Sequence, residues 1–280
     1  MKFINFASGS KGNCTLVSNN NTNILIDCGI GVKKLKECLA KYDLNILDIK
    51  AIFLTHSHGD HVAGLSSVLN HHKIKVYGLT ETLQSVIDML EKKLGFIDTD
   101  IFYPIYVKNH QNDSDLINID NDIKLLPCQS YHDVECVFYK IFISDLKLAI
   151  LTDCGIYDDY IVRVLSDVNY MMLECNYDED NLMAYENYPY YLKMRIKGKN
   201  GHLSKNDCAS LIKDIYSPNI KKICLSHISE HTMKREDDNN EYQIVALDFV
   251  KNYLINHNID ISSFDLTAAT QHNITEIIND

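Results

Sequence analysis

The sequence predicts an α/β protein with its chemistry along one rim, on three observations. Short apolar runs alternate with stretches of helical spacing, and polar residues recur directly after the apolar runs. The third is size: 280 residues, 46% of them hydrophobic, make a substantial core, and no Pro/Gly/Ser-rich linker divides them. One domain over residues 1–280 is therefore expected.

Strands are expected over residues 3–7, 15–18, 24–26 and 51–54, each a short apolar or β-branched run closed by polar residues. Between the first two, Ser8-Gly9-Ser10-Lys11-Gly12-Asn13 has two readings, a nest of backbone amides that binds an anion or a tight hairpin. Val32, Leu35 and Leu39 are spaced as one face of a helix over 32–42. Further helices are expected over 62–72 and 81–94, with strands over 75–77 and 101–107. The polar, Asn/Asp-rich residues 108–121 read as a turn-forming surface connection. Beyond them strands are expected over 123–126, 137–143, 147–151, 170–174 and 221–225. Helices are expected over 156–165, 206–216 and 242–256, the second capped by Ser204, and a short tail closes the chain.

Composition narrows the function. A formal charge of −11 excludes a protein that coats nucleic acid nonspecifically, while leaving room for a local basic groove. Nine cysteines, an odd number without a Cys-x-x-Cys pair, read as reduced, buried thiols of a cytoplasmic protein. The amino-terminal residues enter a strand pattern with no signal-peptide-like segment, and no apolar run reaches the roughly 18 residues of a membrane span. A soluble, intracellular protein is expected.

The densest chemistry is Thr55-His56-Ser57-His58-Gly59-Asp60-His61, directly after the 51–54 strand. Three histidines and an aspartate within six positions put imidazole and carboxylate groups into one small volume, which suits a metal ion. Polar residues just past an expected strand are Asp27, His56, His58, Asp60, His61, His132, Asp153 and His227. Imidazole with carboxylate fits Zn, Mn or Fe, whereas a calcium site is all oxygen. These donors outnumber what one tetrahedral ion takes. The economical arrangement is two divalent transition-metal ions sharing a carboxylate, with a bridging hydroxide as nucleophile.

From 176 to 191 the chain is acidic and tyrosine-rich, with Tyr177, Tyr185, Tyr188, Tyr190 and Tyr191, and residues 193–199 then carry Lys193, Arg195, Lys197 and Lys199. This is either a solvated face or a phosphate-binding patch with stacking partners beside it. On an extended segment Arg195 and Lys197, two apart, face one side.

In order along the chain, an Asp after an early strand, His-x-His-x-Asp-His, a lone His, a lone Asp and a lone His resemble the metallo-β-lactamase superfamily. The resemblance implies an αββα sandwich with the site at one edge of two sheets. It implies His56, His58 and His132 on one metal, Asp60, His61 and His227 on the second, and Asp153 between them. Asp27 is then an outer carboxylate that orients the His loop.

Within the superfamily, Ser8-Gly9-Ser10-x-Gly12-Asn13-Cys14, Leu151-Thr152-Asp153-x-Gly155, Tyr188-Pro189-x-x-Leu192-Lys193-x-Arg195-Ile196-x-Gly198, Gly201-His202-Leu203-Ser204 and Leu225-Ser226-His227-Ile228-Ser229-Glu230 are similar to the bacterial YycJ/WalJ/VicX group. That group implies a metal-dependent phosphodiesterase with 5′-to-3′ exonuclease activity on DNA. Two places depart from its pattern: Lys205 follows Gly-His-Leu-Ser in place of Asn, and His231-Thr232-Met233 replaces a Glu/Asn-rich segment. The expected phosphate contacts are Arg195, Lys197 and the loop from Ser8 to Asn13.

His202 is either a core or capping histidine or, as the superfamily's phosphodiesterases imply, the residue beside the leaving oxygen, where imidazole can donate a proton. Asp60, Asp27 and His202 are thus the catalytic candidates. Rival readings on the same metals are hydrolysis of a small cyclic phosphodiester, lactone, thioester or β-lactam. A regulatory protein that keeps metals for structure is the rival from another class.

Overall fold

The computed structural model describes residues 1–107, 116–120, 122–234 and 241–280. Among them are strands β1 (Lys2–Ala7), β2 (Cys14–Asn19), β3 (Thr22–Ile26), β4 (Ile49–Phe53), β5 (Lys75–Gly78), β6 (Phe102–Pro104), β7 (Ile117–Ile119), β8 (Ile123–Gln129), β9 (Val137–Ile143), β10 (Leu146–Leu151), β11 (Tyr170–Glu174), β12 (Lys222–Ser226), β13 (Asp265–Ala268) and β14 (Thr275–Asn279). The chain forms two compact units, one of Met1–Gln129, Val134–Val137 and Gln271–Asp280, the other of Ser130–Asp133 and Phe138–Thr270.

The first unit is built on a sheet of order β14-β1-β2-β3-β4-β5-β6. Strands β14, β1, β2 and β3 pair antiparallel, and β3 through β6 run parallel. The runs in β1 to β3 are almost wholly buried, as strands covered on both faces are. Helices Val32–Ala40 and Thr80–Leu94 pack on the sheet through Leu35 and Leu39 and through Leu83, Val86 and Leu90, residues three or four apart that share a face. The parallel register sets Ile26 beside Phe53, so the segments after β3 and β4 leave the sheet together.

In the second unit β9 and β10 are antiparallel and β10 to β13 parallel. Leu151 pairs with Leu173 and Leu173 with Leu225, while Glu174 pairs with Ser226. The carboxyl ends of three neighbouring strands therefore lie level, the rim where open parallel sheets carry their chemistry. Ser204 caps the helix Lys205–Ile215 by accepting from the Asp207 amide, as expected. All nine cysteines are buried and outside disulfides. Among the described residues no helix is long and apolar enough to cross a membrane.

Several elements differ from the sequence reading. The helix expected over 62–72 is two short helices, Gly59–Val62 and Leu65–Leu69. Gly64 interrupts them because its amide donates to Cys28 O at 2.9 Å, and a Cβ there would stand 2.0 Å from Ile30 O. The strand expected over 101–107 shrinks to Phe102–Pro104, since a 3₁₀ turn capped by Asp98 takes Thr99–Ile101. Of the connection expected over 108–121, residues 117–119 are strand β7, and 108–115 and 121 lie outside the described residues. The tail adds β13 and β14. Residues 193–197, expected as extended or as a helix face, belong to the helix Tyr190–Lys197.

Candidate active site

The first unit holds one donor cluster. After β3 the chain turns at Asp27 (φ +60°), a conformation that non-glycine residues seldom adopt and that functional positions often carry. The buried Asp27 carboxylate accepts from the Thr55 amide at 2.9 Å and lies 2.8 Å from His61 Nδ1. Thr55 Oγ1 donates to Asp27 Oδ2 at 3.0 Å and accepts from His56 Nδ1 at 2.9 Å. One carboxylate thus directs two imidazoles, one directly and one through a hydroxyl. With Nδ1 directed in this way, Nε2 is the metal-binding atom of each ring, the usual consequence of a carboxylate on the other nitrogen. The His56 and His61 ring centroids are 4.1 Å apart, and His58 stands edge-on to His56 at 4.7 Å.

Backbone contacts fix this loop. Cys28 N donates to His61 O at 2.8 Å and Asn13 N to Asp60 O at 2.7 Å. Gly29 admits the second contact, because a Cβ there would fall 1.6 Å from Asp60 O. Asp60 Oδ2 is 3.5 Å from His61 Nε2. Two ligands about 2.05 Å from one tetrahedral ion are separated by roughly 3.3 Å, so this donor pair fits a shared metal.

The second unit holds the other cluster, at the ends of β10, β11 and β12 and in the loop before β9. Asp153 (φ +56°) and His227 (φ +51°) repeat the strand-end turn of Asp27. His132 Nδ1 donates to Gly201 O at 3.0 Å, and its Nε2 lies 3.8 Å from Asp153 Oδ1. Glu174, fully buried, is the hub. Its Oε1 is 2.8 Å from both His202 Nδ1 and His227 Nδ1, and its Oε2 accepts from the Cys154 and Leu203 amides at 2.9 and 3.1 Å. Burial pushes this carboxyl up, but the two histidines outweigh it and hold the group down at about 2. Asp153 Oδ1 is 3.7 Å from each of the same two Nδ1 atoms. Asp153, Glu174, His202 and His227 offer donor atoms within 4.8 Å of one another, an imidazole and carboxylate set that suits a divalent transition metal.

Each unit therefore gathers the site residues that fall in its part of the sequence: Asp27, His56, His58, Asp60 and His61 in the first, His132, Asp153 and His227 in the second, with His202 beside the latter. Glu174 escaped the sequence reading because it was counted as the last residue of its strand. The signal that found Asp27 and Asp153, a polar residue at the carboxyl end of an apolar run, applies to it equally.

The expected substrate contacts all have partners within the protein. The loop from Ser8 to Asn13 is not an open nest: the amides of Gly9, Lys11, Gly12 and Asn13 donate to Asn13 Oδ1, Gln271 Oε1, Gly9 O and Asp60 O. Ser8 is buried, and Asn13 donates from its side chain to Asp60 Oδ2 at 3.1 Å and lies 2.8 Å from His61 Nε2. Asn13 thus positions the His loop. Arg195 and Lys197 do not share a face, because two residues on a helix diverge by about 200°. Arg195 Nε pairs with Asp133 at 2.6 Å and Lys197 with Glu179, while Lys193 is buried on Met183 O. The basic strip is therefore resolved into separate ion pairs.

Comparisons with known proteins agree with the motifs. Residues 7–111 match the family model described as the metallo-beta-lactamase superfamily. The exodeoxyribonuclease YycJ of Bacillus anthracis is 29% identical over 84% of this chain and 85% of its own. The exodeoxyribonuclease WalJ of Streptococcus pneumoniae serotype 2 is 26% identical over 99% of this chain and 98% of its own. The crystal structure of YhfI from Bacillus subtilis, a metallo-beta-lactamase fold protein, superposes with a TM-score of 0.65 at 15% identity, covering 99% of this chain and all of that one. The α/β metallo-β-lactamase fold and the resemblance to the YycJ/WalJ group therefore hold, and with them a metal-dependent hydrolase.

Proposed function

We propose that this metal-dependent hydrolase of metallo-β-lactamase fold is a 5′-to-3′ DNA exonuclease, acting in the cytoplasm as one hydrolase domain over residues 1–280. The donors of the two units would serve a dinuclear centre: His56, His58 and His132 on one divalent ion, Asp60, His61 and His227 on the other, and Asp153 between them. When bound, Zn, Mn or Fe ions polarise a phosphodiester and lower the pKa of an attacking water.

The observation that carries the reading is Glu174. A single oxygen 2.8 Å from the Nδ1 atoms of both His202 and His227 keeps a proton on each of those nitrogens and leaves each Nε2 available. One ring would then be a ligand, and the other, entering the step protonated on both nitrogens, would give its Nε2 proton to the departing 3′ oxygen and end neutral with Nδ1–H still held by Glu174. A deoxyribose alkoxide leaves poorly without that proton, which is why an acid belongs beside this bond. Asp27 performs the corresponding service for His61. Arg195, with its side chain 56% exposed, exchanges Asp133 for a flanking phosphate. The nine buried thiols suit a reducing compartment.

The test is a substrate panel. Metal-replete protein is incubated with 5′-phosphorylated single- and double-stranded DNA, RNA, a cyclic nucleotide, a lactone and a cephalosporin. The expected result is mononucleotides released from the 5′ end of DNA, with the other substrates consumed slowly or not at all. Turnover confined to the lactone, the cephalosporin or the cyclic nucleotide would overturn the proposal.

A further inference from the structure

Four residues past His227, the second unit opens into a cavity of about 610 Å³, lined by Asn181, Tyr185, Asn187 and His231, with the carboxylates of Asp180 and Glu186 and the ammonium-bearing Lys234 among its walls. The Tyr185 and His231 rings lie parallel, with centroids 5.6 Å apart and planes 17° from each other. Tyr188 meets Tyr185 edge-on at 4.8 Å. Neither the donor clusters nor the proton delivery uses these rings.

The walls are fixed before any ligand arrives. Asp178 N donates to Thr232 O at 3.0 Å and Asn181 Nδ2 to Met233 O at 3.3 Å, which ties the helix Glu179–Ala184 to the turn that carries His231. On the opposite side of that helix Lys193 Nζ holds Met183 O at 2.7 Å. A cavity of this volume is within the usual range for small-molecule sites. Its lining also selects. Two carboxylates against one lysine give the lining no net attraction for a phosphate, whereas aromatic faces flanked by carboxamide, carboxylate and ammonium groups match the π-face and the hydrogen-bonding edge of a nucleobase.

The position along the chain links this cavity to the reaction. His231 is four residues from His227, so their Cα atoms are at most about 14 Å apart. Stacked bases advance by about 3.4 Å along a strand, which places a base in this cavity a few nucleotides from a phosphodiester at His227.

We propose that Tyr185 and His231, with Tyr188 packed edge-on against Tyr185, form a nucleobase-stacking subsite that holds an unpaired base of a DNA strand a few nucleotides from the reacting bond. This rests on the phosphodiesterase reading above and adds single-stranded substrate recognition to it.

Two measurements test it. Tyr185→Ala and His231→Ala should each raise KM for a single-stranded oligonucleotide about tenfold relative to KM for bis(4-nitrophenyl) phosphate, the loss of one stacked base. Tyr185→Phe, which keeps the ring, should restore the wild-type ratio. Independently of any variant, abasic residues placed one at a time from the 5′ end should raise the wild-type KM at one position, and Tyr185→Ala should be indifferent to that position.

Failure of the nuclease reading looks different, because the wild type would then leave the oligonucleotide intact. In that case the subsite is read from Kd for the same oligonucleotide, with Tyr185→Ala expected to bind about tenfold more weakly. An unchanged ratio or Kd in Tyr185→Ala, or wild-type indifference to every abasic position, would overturn the subsite.

Discussion

The two donor clusters hang on one buried carboxylate each, but the carboxylates carry different loads. Asp27 serves one imidazole directly and a second through Thr55, and its remaining bond goes to the Thr55 amide two residues past β4. Glu174 divides its oxygens: Oε1 takes two imidazoles from separate loops, and Oε2 takes two backbone amides, Cys154 and Leu203. The first cluster is local, one loop steadied by a neighbour. The second is assembled from distant segments by a single side chain. Damage to Asp27 should therefore stay within the His loop, while damage to Glu174 should reach ligand, acid and two loop backbones together.

The largest expected effect tests the second cluster at its catalytic end. His202→Ala should slow DNA degradation by about 10²–10⁴-fold, the usual size of an acid–base contribution, while slowing a nitrophenyl phosphodiester little, since that leaving group departs without a proton. Initial rates on both esters, with metal content measured alongside, give the answer. Equal losses on both esters would make His202 a phosphate contact. Loss of a metal equivalent would make it a ligand.

The next effect sets the two carboxylates against each other. Asp27→Asn should lower metal affinity or rate by about 10–100-fold, the common cost of removing a ligand's orienting partner. Glu174→Gln should lower metal affinity by a similar factor through His227, and in addition lower the DNA-to-nitrophenyl rate ratio through His202. Metal titration and the two rates measured on both variants separate them. A Glu174→Gln protein with an unchanged rate ratio would dissolve the distinction between the clusters.

That contrast also marks what was legible beforehand. The first cluster is compressed into His56 to His61, so its spacing alone announces a metal, and Asp27 follows from its place after a strand. The parallel pairing of β10, β11 and β12 brings residues 153, 174 and 227 level, a tertiary fact that no local pattern contains. The position just past an apolar run marked Asp153 and His227 singly, without their grouping, and passed over Glu174, which is the last residue of its own strand. Charge was the least informative guide. Lys193, Arg195 and Lys197 look alike in sequence, yet one is buried on a carbonyl and the other two meet different carboxylates. The helical turn that separates them depends on Pro189 at the start of Tyr190–Lys197 and on packing, which the extended reading did not include.

The account's central claim is that both clusters hold metal, and metal stoichiometry tests it most directly. Protein purified without chelator and titrated with Zn or Mn is compared by elemental analysis with Asp60→Ala and Asp153→Ala variants. The wild type should take up about two equivalents, released as pH falls and the imidazoles protonate. Asp60→Ala should lose about one equivalent, and Asp153→Ala should weaken both, as a shared carboxylate requires. A wild-type protein with only a trace of metal and no uptake on titration would contradict the account.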